Sequence, residues 1–305
     1  MSRLLIVLLL FINLNSFSKN NFKILNDTSS NKLNKKKLYK FLAIEGAVLA
    51  GTISYLRFQW YSDKQRVPFH FYNDSKGWLQ IDKFGHFYAS YLESLVGYKI
   101  LKKSNFKENK ALLFGGSQGF ILEAPIEFFD AYYDGWGFSV SDIIANALGS
   151  TFFIVQQKVF NEQWIKPKLT FSRSIYARNA NGYLGKNNFI SELIYDYNGY
   201  TYWFSFTPNK FIKSEFLPDW LALSIGYGGD GMLGEFENLT NYKGVMIPEY
   251  KRYRQFYLSL DVDFSKINTN SKFLKKVFNS ISYIKFPFPT LEISNNKIKG
   301  YWIHY

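Results

Sequence analysis

No cysteine occurs among the 305 residues, which excludes disulfides, thiolate metal sites, a cysteine nucleophile and a cysteine-linked lipid anchor on this chain. Histidine is nearly as scarce. With three in all, any imidazole chemistry rests on His70, His86 or His304. There is no Walker A pattern, no G-x-S-x-G elbow and no H-E-x-x-H pair. Gly226-Tyr227-Gly228-Gly229-Asp230-Gly231 satisfies G-x-G-x-x-G, but an Asn- and Gly-rich loop follows it where a dinucleotide site needs a helix, so no nucleotide cofactor is expected. Acids are outnumbered, 24 against 37 bases, for a net charge of +13. Seven lysines against one acid, Asp27, lie between Lys19 and Lys40. No zinc finger, RNA-binding aromatic signature or basic recognition helix accompanies them, so the partner expected is anionic membrane lipid or envelope glycan, and no nucleic acid.

Aromatic side chains, by contrast, are abundant: 31 Phe and 23 Tyr bring them to 20% of the chain. Such rings favour strands and membrane interfaces. Arg3, the apolar run Leu4 to Leu14 and Ser16-Phe17-Ser18 read as a signal peptide over 1–18. The run is shorter than the ~20 residues of a spanning helix. An exported protein of the periplasm or outer membrane of a Gram-negative-type envelope is expected.

Residues 19–40 read as a basic linker. Phe41 to Leu56 reads as a helix, apolar nearly all round with Glu45 its one charge, either a membrane helix or a buried bundle helix. A second helix runs from about Asp82 to Lys102, with Phe84, Phe87, Tyr91, Leu95 and Tyr98 on one stripe and Asp82, His86, Ser90, Glu93 and Gly97 on the other. Glu93 is expected on a wet face. A third helix from Ala111 carries Gly115, Gly116 and Gly119 and is interrupted by Pro125; Ser139 opens a fourth that runs to about Phe160. After Trp164-Ile165-Lys166-Pro167 the apolar period changes from roughly 3.6 to 2. Tyr200, Tyr202, Phe204 and Phe206, then Leu221 to Tyr227, then Phe256 to Phe264, alternate as strands, and Tyr301, Ile303 and Tyr305 resemble the closing strand of an outer-membrane barrel. The fold class expected is α+β, a bundle of about four helices over 41–166 followed by an antiparallel, aromatic-rich sheet or partial barrel over 167–305.

In these helices Asp82 and His86 stand one turn apart, as do Asp142 and Asn146, while Glu123, Glu127 and Asp130 fall at i, i+4 and i+7. Convergence of these faces would join one imidazole to several carboxylates. His86, Asp82 and Glu127 are the candidate catalytic group, with His86 as general base. Lys83, Asn146 and Asp130 are candidates for positioning substrate, and Asp82, His86, Glu127 and Asp142 for holding a divalent metal, the one cofactor considered. Each has a plainer role too. Asp142 lies three residues after Ser139, the spacing of a capping box; Asp82 suits a helix's first turn; a buried histidine paired with a carboxylate can fix helix register.

Asp82-Lys83-x-x-His86, Glu127-x-x-Asp130 and Ser139-x-x-Asp142-x-x-x-Asn146-x-x-Gly149 resemble the YfiM-like predicted periplasmic lipoprotein family, a domain of unknown function, over roughly Trp78 to Gln157. Phe69-His70-Phe71 before them and Asp196 to Trp203 after them match its longer, Bacteroidetes-type form. The order is more distantly similar to that of the VanZ-like membrane proteins. The resemblance implies a periplasmic protein and no defined activity. Two readings follow: a membrane-associated structural or accessory protein of the envelope, with a polar cluster in its bundle, or a metal-assisted or general-base hydrolase or transferase acting on an envelope lipid or glycan. Oligomeric state is left open.

Overall fold

The computed structural model describes residues 33–62, 64–185 and 188–304. The signal-peptide segment 1–18 and residues 19–32 of the lysine-rich stretch lie outside the described residues. The chain is α+β, with helices through its first half and an antiparallel sheet after them. It divides into two compact units, one formed by residues up to Ser75 together with His86–Glu162, the other by Lys76–Gly85 together with Gln163–Tyr305.

The first unit is helical. Helix α1 (Lys35–Tyr55) begins inside the stretch read as linker. Asn34 explains the earlier start, because its side chain accepts from the Lys37 N–H at 3.0 Å and so caps an otherwise unsatisfied donor. Phe41 packs against Val96 and Ile100, and Leu56 against Ile126. The rest of α1 is largely exposed, and Lys35–Phe58 is long and apolar enough to cross a membrane. Helix α2 (Ile81–Lys103) is buried almost continuously from Tyr88 to Val96. Helices α3 (Gln118–Asp130) and α4 (Val140–Phe160) complete the unit, and α3 continues through Pro125. Glycines let the helices touch. A methyl group at Gly119 would collide with the carbonyl of Ser90, and one at Gly149 with the carbonyl of Phe87.

The second unit is a six-stranded antiparallel sheet whose strands lie in chain order: β1 (Ile165–Phe171), β2 (Tyr200–Phe206), β3 (Leu221–Asp230), β4 (Tyr253–Val262), β5 (Phe288–Ser294) and β6 (Lys297–His304). Short helix α5 (Phe189–Tyr195) lies between β1 and β2, and α6 (Lys272–Ile281) between β4 and β5. The segment Tyr283–Lys285 bonds to Leu169 on the outer edge of β1 before the chain enters β5, so it occupies backbone groups that an edge strand would expose. The glycine-rich run 226–231 ends β3 and turns at Gly231, φ +73°, with no helix after it.

The sheet seals charged and hydroxyl side chains on its buried side, beside Trp203, Tyr257 and Ala222, and is apolar on its exposed side. Lys168, Ser205, Ser224, Ser259, Asp261 and Glu292 are buried, whereas Ile225, Phe256, Leu258, Leu260, Leu291 and Ile293 are exposed. Register makes each set continuous across strands: Phe204, Ile225, Leu258 and Leu291 are successive cross-strand neighbours, as are Ser205, Ser224, Ser259 and Thr290. Ion pairs satisfy the buried charges, Lys168 Nζ with Asp261 at 2.8 Å and Lys166 Nζ with Asp263 at 2.6 Å. Ser205 and Ser224 both donate to Asp261 Oδ2, at 2.6 and 2.7 Å.

Candidate functional site

Three helices of the first unit bring polar side chains to one place. His86 on α2, Glu127 on α3, and Asp142 and Asn146 on α4 are all buried, with His86 and Asn146 wholly so. His86 Nδ1 lies 3.0 Å from Asn146 Oδ1 and 3.8 Å from Glu127 Oε1, while Nε2 lies 3.3 Å from Asp142 Oδ1. The imidazole therefore has Asn146 and Glu127 along one edge and Asp142 along the other.

Below this cluster runs a ladder of hydroxyls. Ser90 Oγ donates to the Asn146 carbonyl at 2.6 Å and meets Ser150 Oγ at 2.9 Å; Ser94 Oγ meets Ser150 Oγ at 2.9 Å. The same hydroxyls receive the first N–H groups of α3, Gly119 N to Ser94 Oγ at 3.2 Å and Phe120 N to Ser150 Oγ at 2.9 Å. A helix start buried in protein leaves such donors without intrahelical acceptors, and here neighbouring helices supply them. Ser90 shares its stripe with His86, but Ser94 and Ser150 carried no motif signal that could have singled them out.

Glu93 and Glu123 are fully buried, so the wet face expected for Glu93 is corrected. Periodicity placed Glu93 on the His86 stripe, and that stripe faces inward. Ser139 caps α4, accepting from Asp142 N at 3.0 Å, and it donates to Asp74 Oδ1 at 2.6 Å. Capping thus accounts for Ser139, whereas the Asp142 carboxylate is turned to His86. Asp74, which also receives Ser141 Oγ at 2.7 Å, had no sequence signature.

The remaining candidates take different positions. Asp130 receives the Tyr61 hydroxyl. Asp82 sits in the first turn of α2, one turn before His86 on the same helix, with Oδ1 accepting from Tyr197 OH at 2.9 Å and Oδ2 paired with Lys83 Nζ at 3.1 Å. Ahead of it Trp78, Leu79 and Gln80 all have left-handed φ, between 49° and 68°. Three such non-glycine residues in succession cost on the order of 1 kcal/mol each or more. Contacts within the second unit hold them: Trp78 stacks on Tyr197 at 4.7 Å, and Arg254 donates to Gln80 Oε1 at 2.8 Å. His70 is bound to the backbone carbonyls of Pro68 and Trp136, and His304 lies among the rings of Trp203, Tyr257 and Tyr301.

Fold and site define an α+β protein with a helical unit built around buried ionisable groups and a sheet that buries charged and hydroxyl side chains and leaves an apolar face outside. Residues 70–158 match a family model described as "Predicted periplasmic lipoprotein (DUF2279)". The matched segment carries His86, Glu127, Asp142 and Asn146, and it agrees with an exported protein of the cell envelope, in the periplasm or at the outer membrane. No curated protein and no solved structure matches the chain.

Proposed function

We propose that the protein is a membrane-associated accessory component of the envelope, with apolar surfaces of both units lying against lipid. The observation that carries this reading is the reversal of burial in the sheet, where charged and hydroxyl side chains are sealed inside and a continuous apolar face is left outside. Water-soluble sheets bury the apolar face; a lipid-facing sheet does the reverse. The helical unit supports the same reading. Val140, Ile144, Leu148, Val155 and Val159 form an outward stripe along α4, each at least half exposed. Helix α6 is the third support. Its Phe273, Leu274, Val277, Phe278 and Ile281 share one side and Lys272, Lys275 and Lys276 the other, the pattern of a helix that lies in the headgroup plane of an anionic membrane. The likeness to YfiM-like and VanZ-like proteins points the same way. The test is extraction of envelope membranes with alkaline carbonate. The chain is expected to stay in the pellet and dissolve only with detergent; recovery in the soluble fraction overturns the reading.

A second reading, a general-base hydrolase or transferase acting on an envelope lipid or glycan, is favoured by one contact, that of His86 Nε2 with Asp142. In it His86 takes a proton, Glu127 and Asp142 orient it electrostatically, and Asn146 beside the ring positions substrate. A strain carrying His86→Gln, profiled for envelope lipids and glycans, tests it. An altered species is expected, and a profile identical to wild type while deletion changes it removes catalysis from the account.

A further inference from the structure

The two edges of the sheet are finished differently. On β1, Leu169 donates its N–H to the Tyr283 carbonyl at 3.3 Å and accepts from the Lys285 N–H at 3.0 Å, both on the outer side of the strand. Bonding direction alternates along a strand, so Pro167, two residues earlier, turns to the same side and presents no N–H there. The chain thus blunts that edge with its own backbone and with a proline. On the opposite edge β6 pairs with β5 alone among the described residues. It contains no proline, and Ile298, Trp302 and Ile303 are each more than half exposed. Lysine is a usual guard of an open edge, but Lys297 sits at the turn and Lys299 is neutralised by Glu292, 3.7 Å away.

The turn between β5 and β6 fixes which groups face outward. Asn295 and Asn296 both have left-handed φ, 47° and 56°, the two-residue form whose flanking pair, Ser294 and Lys297, bonds across the hairpin. Alternation then turns the N–H and carbonyl of Ile298 and of Gly300 away from β5. The register with β5 is regular through Tyr301 and shifts beyond it. Such an edge is a template for another strand in water, and in hydrocarbon its unpaired groups are costlier still.

We propose that β6 pairs antiparallel with β6 of a second copy of this chain, about a two-fold axis at Gly300, so that two sheets become one. Two features select a second copy. One edge is open and the other covered, so self-pairing closes a dimer and leaves no edge for a third chain. The strand is also self-complementary about Gly300. Ile298 then stands opposite Trp302 of the second copy, a β-branched side chain against an aromatic one, and Lys299 stands opposite Tyr301. Moving the axis one residue back sets Lys299 against Lys299, and one residue forward sets Lys299 against Ile303. At the axis each Gly300 exchanges both backbone bonds with its counterpart. The apolar faces of the two sheets then continue across the junction on one side and their buried polar faces on the other. This pairing goes beyond the membrane reading and holds whether the outer face meets lipid or water.

The lack of cysteine provides the test. Gly300→Cys adds a single thiol, and a side chain has room there, its nearest neighbour being Leu291 Cδ2 at 3.7 Å. Opposite Cα atoms in a bonded antiparallel pair stand about 5.5 Å apart, inside the ~4.4–6.8 Å that a disulfide spans. The full-length variant, purified in detergent and treated with a mild oxidant, is expected to become a linked dimer. Leu291→Cys, directed outward from the neighbouring strand, is expected to remain a single chain. Light scattering should give wild type the mass of two chains, and Gly300→Pro, which removes an outward N–H and no bond to β5, the mass of one. A monomeric wild type overturns the proposal, as does a folded Gly300→Pro protein that stays dimeric. Linkage of Gly300→Cys no faster than that of Leu291→Cys overturns it too, and this comparison decides alone if the proline variant fails to fold. Oxidation in intact envelopes that joins Gly300→Cys to a different protein and not to itself would give the edge to that protein and end the case for self-pairing. Release by carbonate with the dimer intact would sink the membrane reading and leave this one standing.

Discussion

At the scale of the residue, Ser150 makes the clearest structural case in the helical unit. Its single hydroxyl meets Ser90, Ser94 and the Phe120 N–H, so three helices share one oxygen. Ser150→Ala leaves a buried N–H without its acceptor and should cost about 1–3 kcal/mol, measured by chemical unfolding in detergent. Ser150→Thr, which keeps the hydroxyl, should cost less unless its added methyl group is blocked. Arg173 offers a different test. Its guanidinium grips Glu192 through both carboxylate oxygens, the second at 2.7 Å, and holds that carboxyl below its ordinary range. A depressed folded-state value means the stabilisation is complete above the unfolded carboxyl value, about 4.3, and disappears as pH falls through the lower folded value. Melting temperature should therefore fall more steeply below about pH 4.3 in wild type than in Arg173→Ala, and equal slopes would show the pair to be inert.

At the scale of the element, the reversed sheet predicts an asymmetry between its two faces. Leu258→Lys places a charge on the exposed apolar side, where a lipid setting would make it cost about 2–4 kcal/mol near the bilayer midplane. The same change on a face bathed in water would be nearly neutral, within about 0.5 kcal/mol. Refolding yield into vesicles distinguishes the two. Helix α6 carries a parallel expectation. Replacing Lys272, Lys275 and Lys276 with Glu should weaken binding to phosphatidylglycerol vesicles, with about 1 kcal/mol lost per lysine removed, and leave binding to neutral vesicles almost unchanged. The elements also show where sequence reasoning reached its limit. Alternation at Tyr202, Phe204 and Phe206 identified a strand and the two sets of residues that share its faces. A period of 2 says nothing about which set is inside, and the aromatic composition alone hinted at the reversal. The period of 3.6 likewise grouped Asp82, His86, Ser90 and Glu93 correctly, yet solvent was assigned to Glu93 because charge outside is the rule in water. Helix α6 went unread: ten residues between Asn- and Ser-rich turns are too few for periodicity to stand out. The His86, Glu127, Asp142 and Asn146 group was legible because each residue lies on a helix at whole-turn spacing from another candidate. Asp74 and the Ser94–Ser150 ladder were not, since serines and a lone loop acid have no spacing to betray them.

For the whole molecule, net charge and apolar surface make separable contributions to membrane attachment. The chain carries +13, with seven lysines against one acid between Lys19 and Lys40, and this alone would draw it to an anionic surface. Such attraction is screened: the Debye length shrinks from about 10 Å at 0.1 M salt to about 3 Å at 1 M. Burial of apolar side chains in lipid has no such dependence, and salting-out ions strengthen it. Vesicle flotation across a salt series should therefore show two phases. Between about 0.05 and 0.3 M salt a fraction held by the lysines is expected to dissociate, and beyond that a salt-resistant fraction should persist to 1 M. Deleting residues 19–32 removes three lysines and should reduce the first phase while sparing the second. Leu148→Asp together with Leu258→Lys, which interrupts the outward stripe of α4 and the open face of the sheet, should do the reverse. Complete release of the wild-type chain by 1 M salt would mean that charge alone holds it to the surface, and that the apolar faces of the two units are covered by something other than lipid.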